Sequence, residues 1–177
     1  MGMSDLIESA STGRAKCRRC GARIDKGMLR FGESVPNAFG EGEAKHWFHL
    51  ACAAEKRPEK LRAALADCPF EVPDRASLEK VIADGIQNPG LASVKRAERA
   101  PTGRATCQQC HEKIDKGSLR IALERESEAM AMATTSYIHA ACAPEHIGAA
   151  GLLAKLERAN GLAPEDRDEL ERAFREP

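Results

Sequence analysis

Cys17-Arg-Arg-Cys20, followed after 28 residues by His49-Leu-Ala-Cys52, decides the fold of this 177-residue chain. The same spacing returns as Cys107-Gln-Gln-Cys110 and His139-Ala-Ala-Cys142. Two cysteines separated by two residues hold one ion from a tight turn, and a second close pair completes a four-ligand shell, the arrangement of a tetrahedral zinc site. Four protein ligands leave no open coordination position, so each site is structural rather than catalytic. Disulfides or small buried thiols are the competing readings. The duplicated spacing takes six of the seven cysteines and two of the five histidines, which argues against both. The expectation is two Zn2+ ions, one per set.

Outward from the cysteines the chain repeats itself at an offset of 90 residues. Thr12-Gly-Arg-Ala-Lys-Cys17 returns as Thr102-Gly-Arg-Ala-Thr-Cys107, and Ile24-Asp-Lys-Gly-Met-Leu-Arg30 as Ile114-Asp-Lys-Gly-Ser-Leu-Arg120. Asp74-Arg-Ala-Ser-Leu-Glu-Lys80 matches Asp166-Arg-Asp-Glu-Leu-Glu-Arg172, so the repeat includes the segment after the last ligand. The reading is a loose N-terminal tail over 1–10, a first finger over 11–86, a linker over 87–100 containing the turn signal Asn88-Pro89-Gly90, and a second finger over 101–177. The predicted class is small zinc-stabilised α+β domains, two tandem Cys3His fingers, each a short antiparallel sheet with C-terminal helices. Extended chain is expected around 28–33 and 118–124, and again through Trp47-Phe48-His49 and Tyr137-Ile138-His139. Each His-x2-Cys pair is placed at a helix start. Two more helices are expected in each copy. In the first, one follows Pro58 over 59–67, and the other starts at Asp74 or Ser77 and stops before Gly85. In the second, one closes at Asn160-Gly161 and the other opens at Pro164. Leu78, Val81 and Ile82, like Leu170 and Phe174, have the spacing of a core-facing stripe.

Composition fits that picture. Aromatics are only 4% of the chain, a thin supply for a core, and small domains so built need a staple such as a metal. Met1 to Ala10 carries Asp5 and Glu8 and lacks a signal-peptide apolar run, and no stretch approaches a membrane span. The chain is expected to be intracellular, where thiols stay reduced: nuclear in a eukaryote, cytoplasmic or nucleoid-associated in a bacterium. Net charge is zero but unevenly spread, +6 over 11–30, +2 over 101–120 and −5 over 121–177. A locally basic face on a neutral protein suits a polyanion, and a solvated charged surface is the alternative. Cys68, His111 and His146 have no counterpart in the other copy and are expected to be bystanders, Cys68 as a packed thiol.

Arg-Ala-x-Cys-x2-Cys, Ile-x-Lys-Gly-x-Leu-Arg and Trp-x-His-x2-Cys, taken together, resemble the poly(ADP-ribose) polymerase-type zinc finger, a family that also occurs in DNA ligase III and DNA 3′-phosphatases. The first copy carries the pattern through Gly13–Arg30 and His46–Cys52; the second has Tyr137 in place of the tryptophan. The resemblance implies recognition of nicks, gaps and ends in duplex DNA without sequence readout. It implies phosphate contacts from Arg14 and Arg30, and from Arg104 and Arg120. It also implies apolar stacking on exposed bases from the loop before the tryptophan, for which Phe39 is the first copy's candidate and Met130 and Met132 the second's. Lys16, Arg18 and Trp47 complete the candidate DNA-binding set. Guanidinium forks grip phosphates of any sequence, and an apolar side chain stacked on a terminal base pair adds about 1–3 kcal/mol, so grip plus stacking selects breaks.

The expected function is a monomeric break sensor or recruiter of DNA-repair enzymes, with the more basic first finger contributing more. The alternative is a zinc-stabilised protein-interaction module without break specificity. No nucleotide-binding glycine loop, nucleophile–base pair or open metal site appears, so no enzyme activity is expected of these residues.

Overall fold

The computed structural model describes residues 4–37, 40–125 and 134–175. The chain divides into two compact units, Met1–Gln87 and Asn88–Pro177.

In the first unit β1 (Leu6–Ser9), β2 (Leu29–Pro36) and β3 (Glu43–His49) form an antiparallel sheet in that order. Three helices follow, α1 (Leu50–Lys56), α2 (Pro58–Ala66) and α3 (Arg75–Gln87). Phe31 on β2 stands directly opposite Phe48 on β3, with ring centroids 6.2 Å apart, and both are buried against Ile7, Leu61, Leu65 and Ile82. Burying each such ring stabilises the fold by roughly 1.5–3 kcal/mol, and the sheet's inner face is built from few of them.

The second unit repeats the plan. β4 (Val94–Arg99), β5 (Leu119–Arg125) and β6 (Thr134–His139) form the sheet, and α4 (Ala143–Ile147), α5 (Leu152–Asn160) and α6 (Pro164–Arg175) follow. Ile121 opposite Ile138 replaces the Phe31–Phe48 pair. Leu152 and Leu156 of α5 and Leu170 of α6 close the core, and α5 packs on β4. The expected stripes on α3 and α6 do face inward: Leu78, Ile82 and Leu170 are buried, with Val81 and Phe174 packed beside them.

Four expectations need correction. Residues 1–10 are not all tail, because Leu6–Ser9 is the edge strand β1, held by buried Ile7 and by backbone pairing to β2. Residues 87–100 are not a linker. Pro89–Ser93 makes a 3-10 turn, and β4 buries Val94 and Ala97 in the second core. Nor does α3 stop before Gly85. A Cβ there would lie 3.1 Å from the Pro58 side chain, so this glycine lets α2 and α3 approach rather than ending the helix. Finally, the second His-x2-Cys pair does not begin a helix. Pro144 has no N–H to bond back into a turn starting at Ala140, so α4 opens only at Ala143, with Pro144 in its first turn.

Candidate metal centres

Each ligand pair comes from a different local structure. Cys17 and Cys20 lie on a tight turn in which the Cys17 amide donates to the Ala22 carbonyl and the Gly21 amide to the Cys17 carbonyl. Gly21 has φ +74°, and His111 stands at the same place in the second unit with φ +62°, which gives that unmatched histidine a backbone position rather than a ligand role. Buried Ile24 and Ile114 anchor these turns beneath. The amide of Arg18 donates to the Trp47 carbonyl at 2.9 Å, and that of Gln108 to the Tyr137 carbonyl at 3.0 Å, so each turn is pinned to the strand that delivers the histidine.

Cys17, Cys20, His49 and Cys52 bring their ligand atoms within 4.8 Å of one another, and so do Cys107, Cys110, His139 and Cys142. His49 Nδ1 lies 3.4 Å from Cys20 Sγ and 3.9 Å from Cys52 Sγ; His139 Nδ1 lies 3.3 Å from Cys110 Sγ and 4.0 Å from Cys142 Sγ. Zinc–ligand bonds of ordinary length in a tetrahedron separate sulfur from nitrogen by about 3.6 Å, so both sets fit the ion.

The histidine tautomers agree. His49 Nε2 is 3.1 Å from the Arg23 carbonyl and His139 Nε2 is 3.2 Å from the Lys113 carbonyl. A carbonyl oxygen only accepts, so Nε2 carries the proton and Nδ1 presents its lone pair to the metal, the usual outer-shell device. Three sulfurs drawn this close cannot all hold negative charge unaided. Cys17 is lowered to about 4 by the hydrogen bond from Cys52 and by the backbone amides of Cys20, His49 and Arg19, while the same bond pushes Cys52 up. In the second set burial raises Cys107, but the amides of Cys110, His139 and Gln109 outweigh it and leave Cys107 at about 6. Cys142 is pushed up to about 12, by burial and by the charges on Cys107 and Cys110. A divalent cation relieves this conflict by replacing the shared protons. When bound, zinc supplies a cross-link between turn, strand and helix.

A profile of the poly(ADP-ribose) polymerase and DNA-ligase zinc-finger region matches the chain twice, over residues 8–88 and 98–174. The chain belongs to the poly(ADP-ribose) polymerase and DNA-ligase zinc-finger family. Its two units are fingers of that family, each holding one zinc ion. The chain is 28% identical over 128 residues to poly(ADP-ribose) polymerase 1 of Gallus gallus and 28% identical over 133 residues to the polymerase of Sarcophaga peregrina. It is 30% identical over 131 residues to that of Drosophila melanogaster. These matches cover 64–66% of this chain but 13% of each polymerase.

The remaining candidate residues separate into distinct environments. Arg14, Lys16 and Arg18 are exposed around the first turn, as is Arg104 in the second unit. Phe39, Met130 and Met132 lie outside the described residues. Arg30 and Arg120 are largely buried. Arg30 is 7% exposed, with its guanidinium carbon 3.6 Å from the centre of the Trp47 ring. Arg120 is 5% exposed and sits 3.6 Å over Tyr137. Each arginine also donates to a carboxylate that sequence reasoning passed over: Arg30 to Glu8 through Nε at 3.0 Å and Nη2 at 2.5 Å, and Arg120 to Glu98 through Nε at 3.1 Å and Nη2 at 2.5 Å. A signal was present, since Glu8 and Glu98 keep the 90-residue offset, as do Ala10 and Ala100.

Cys68 is half-buried at the core's edge, its thiol donating to the Phe70 carbonyl. His146 lies outside the metal set and bonds Gln109 at 2.8 Å, joining α4 to the metal-binding turn. An Arg19–Glu55 ion pair does the same in the first finger.

Proposed function

We propose that this chain binds duplex DNA without regard to sequence and recognises strand breaks, each zinc ion fixing the turn that presents a cationic surface. The family supports this as one of DNA-binding, damage-sensing fingers. The observation that carries the reading is the charge around the first metal-binding turn. Lys16 pairs across that turn with Arg23, and Arg14 and Arg18 are exposed beside them. Like charges directly opposite one another are unfavourable unless something anionic lies against them. A phosphate backbone is such a partner, and its grip is sequence-independent. In the second finger Thr106 takes the place of Lys16 and accepts a hydrogen bond from Lys113, while Gln108 and Gln109 stand for Arg18 and Arg19. The second finger therefore contributes less of the salt-dependent affinity.

On this reading Arg14, Lys16, Arg18 and Arg30 of the first finger, and Arg104 and Arg120 of the second, face phosphate. Phe39, Met130 and Met132 supply apolar contact with bases exposed at a break. The chain acts as a sensor or recruiter for a repair enzyme rather than as an enzyme. No described helix is long and apolar enough to cross a membrane. The proposed site of action is wherever DNA is kept, the nucleus in a eukaryote.

A gel-shift titration of the zinc-loaded chain on nicked, gapped, blunt-ended and covalently closed circular DNA tests this. Tighter binding to every broken form than to the closed circle is expected. Equal binding to all four refutes break recognition, and absence of binding to any supports the protein-interaction reading instead.

A further inference from the structure

The first finger contains the chain's one tryptophan and the second its one tyrosine, and each ring lies under a buried arginine that a glutamate clamps from the neighbouring strand. The geometry is the same in both units although the ring differs. Glu8 faces Arg30 in the β1–β2 register, and Glu98 faces Arg120 in the β4–β5 register. The strand beneath changes size to suit: Gly32 lies opposite Trp47, where Ala122 lies opposite the smaller Tyr137. Two sequences that differ in ring and floor have kept one guanidinium pose.

That pose has directional consequences. The carboxylate occupies Nε and Nη2 from one side, and the ring covers one face. Nη1 has no hydrogen-bond partner among the described residues in either arginine. A guanidinium free to rotate loses that freedom when it meets a phosphate; one already held does not.

We propose that Glu8 and Glu98 are positioning residues: each acts through its arginine, holding the guanidinium against Trp47 or Tyr137 so that its Nη1 edge is fixed toward a DNA phosphate. The proposal rests on the DNA reading above. It runs against simple charge counting, in which a carboxylate beside a phosphate site repels DNA and its removal tightens binding. The two accounts therefore predict opposite signs.

The experiment uses the full zinc-loaded chain with Glu8→Ala, Glu8→Gln, Arg30→Lys and the Glu8→Ala/Arg30→Lys pair, titrated with nicked duplex. Binding is followed by anisotropy of the DNA and by emission of Trp47, which reports the first finger alone. Positioning predicts roughly three- to tenfold weaker binding for Glu8→Ala at unchanged zinc content, partial recovery in Glu8→Gln, and no added loss from Glu8→Ala once Arg30 is lysine. Should Glu8→Ala lose zinc or fail to fold, Glu8→Gln and Glu98→Gln carry the same test, each expected to weaken binding. Unchanged or tighter binding in the glutamate variants, or losses that simply add in the pair, overturns the positioning role while leaving DNA recognition intact. If the unmodified chain binds no DNA, both proposals fall.

Discussion

Gly32→Ala offers a test in which the structure fixes the size of the effect in advance. A Cβ built on Gly32 would lie 2.7 Å from Cζ3 of Trp47 and 3.1 Å from its Cη2. Carbon atoms pack at about 3.5–4.0 Å, so the methyl overlaps the indole by roughly 1 Å. The indole cannot move aside freely, because Arg30 lies 3.6 Å from its ring centre and Trp47 is two residues from the ligand His49. Overpacking of this kind costs about 1–3 kcal/mol. For a unit of this size each kcal/mol lowers Tm by roughly 4–8 °C, so a fall of about 5–20 °C is expected for the first finger. Ala122 already occupies the matching place opposite Tyr137, so Gly32→Ala combined with Trp47→Tyr should recover most of that loss. Thermal unfolding followed by circular dichroism measures both variants, and Trp47 emission reports the displaced indole in the single one. An unchanged Tm in Gly32→Ala, or no recovery in the double variant, refutes the claim that residue 32 seats the ring.

Three further outcomes follow from the same geometry. Chelation, or Cys20→Ala for the first finger alone, should unfold the affected unit, since structural zinc contributes about 10–16 kcal/mol of apparent folding energy; retained cooperative unfolding without metal, seen by calorimetry, contradicts this. Glu33 is buried, which alone would raise its carboxyl, but the Lys60 hydrogen bond at 2.8 Å and the Arg57 charge hold it below the ordinary carboxylate value. Its stabilising contribution is therefore complete above the ordinary value and disappears as pH falls through the lowered one, so Glu33→Gln should flatten the acid limb of the first finger's pH–stability curve. Leu123 occupies the equivalent place in the second finger, whose curve should lack this component. Replacing exposed Arg18 with alanine should reduce the slope of log affinity against log salt by about 1, at unchanged zinc content, whereas Gln108→Ala should leave the slope alone.

The metal centres were legible in the sequence because ligand spacing is a strict geometric demand that repeats. The strands leading to His49 and His139 and the helices opened by Pro58 and Pro164 were legible for similar reasons: each carries a local signal with one dominant cause. β1 and β4 were not. They are short edge strands rich in polar and charged residues, Glu8 and Ser9 in one and Lys95, Arg96, Glu98 and Arg99 in the other, so little apolar alternation marks them. Their strand character comes from pairing with β2 and β5, a tertiary effect that local composition does not carry. Gly85 misled because glycine serves both helix ends and close helix packing, and only the position of Pro58 distinguishes them. Arg30 and Arg120 are expected from the resemblance to contact phosphate, but no local signal shows that Glu8 and Glu98, 22 residues earlier in each case, pair with them within the sheet.

The most direct test of the whole account is a competition between two dumbbell duplexes of one sequence, one sealed and one with a single nick, for a limiting amount of the two-zinc chain. The account predicts that the chain partitions to the nicked dumbbell and that raising salt weakens its binding to both. Equal partition at every salt concentration would show that the zinc-shaped surfaces bind DNA without sensing its breaks.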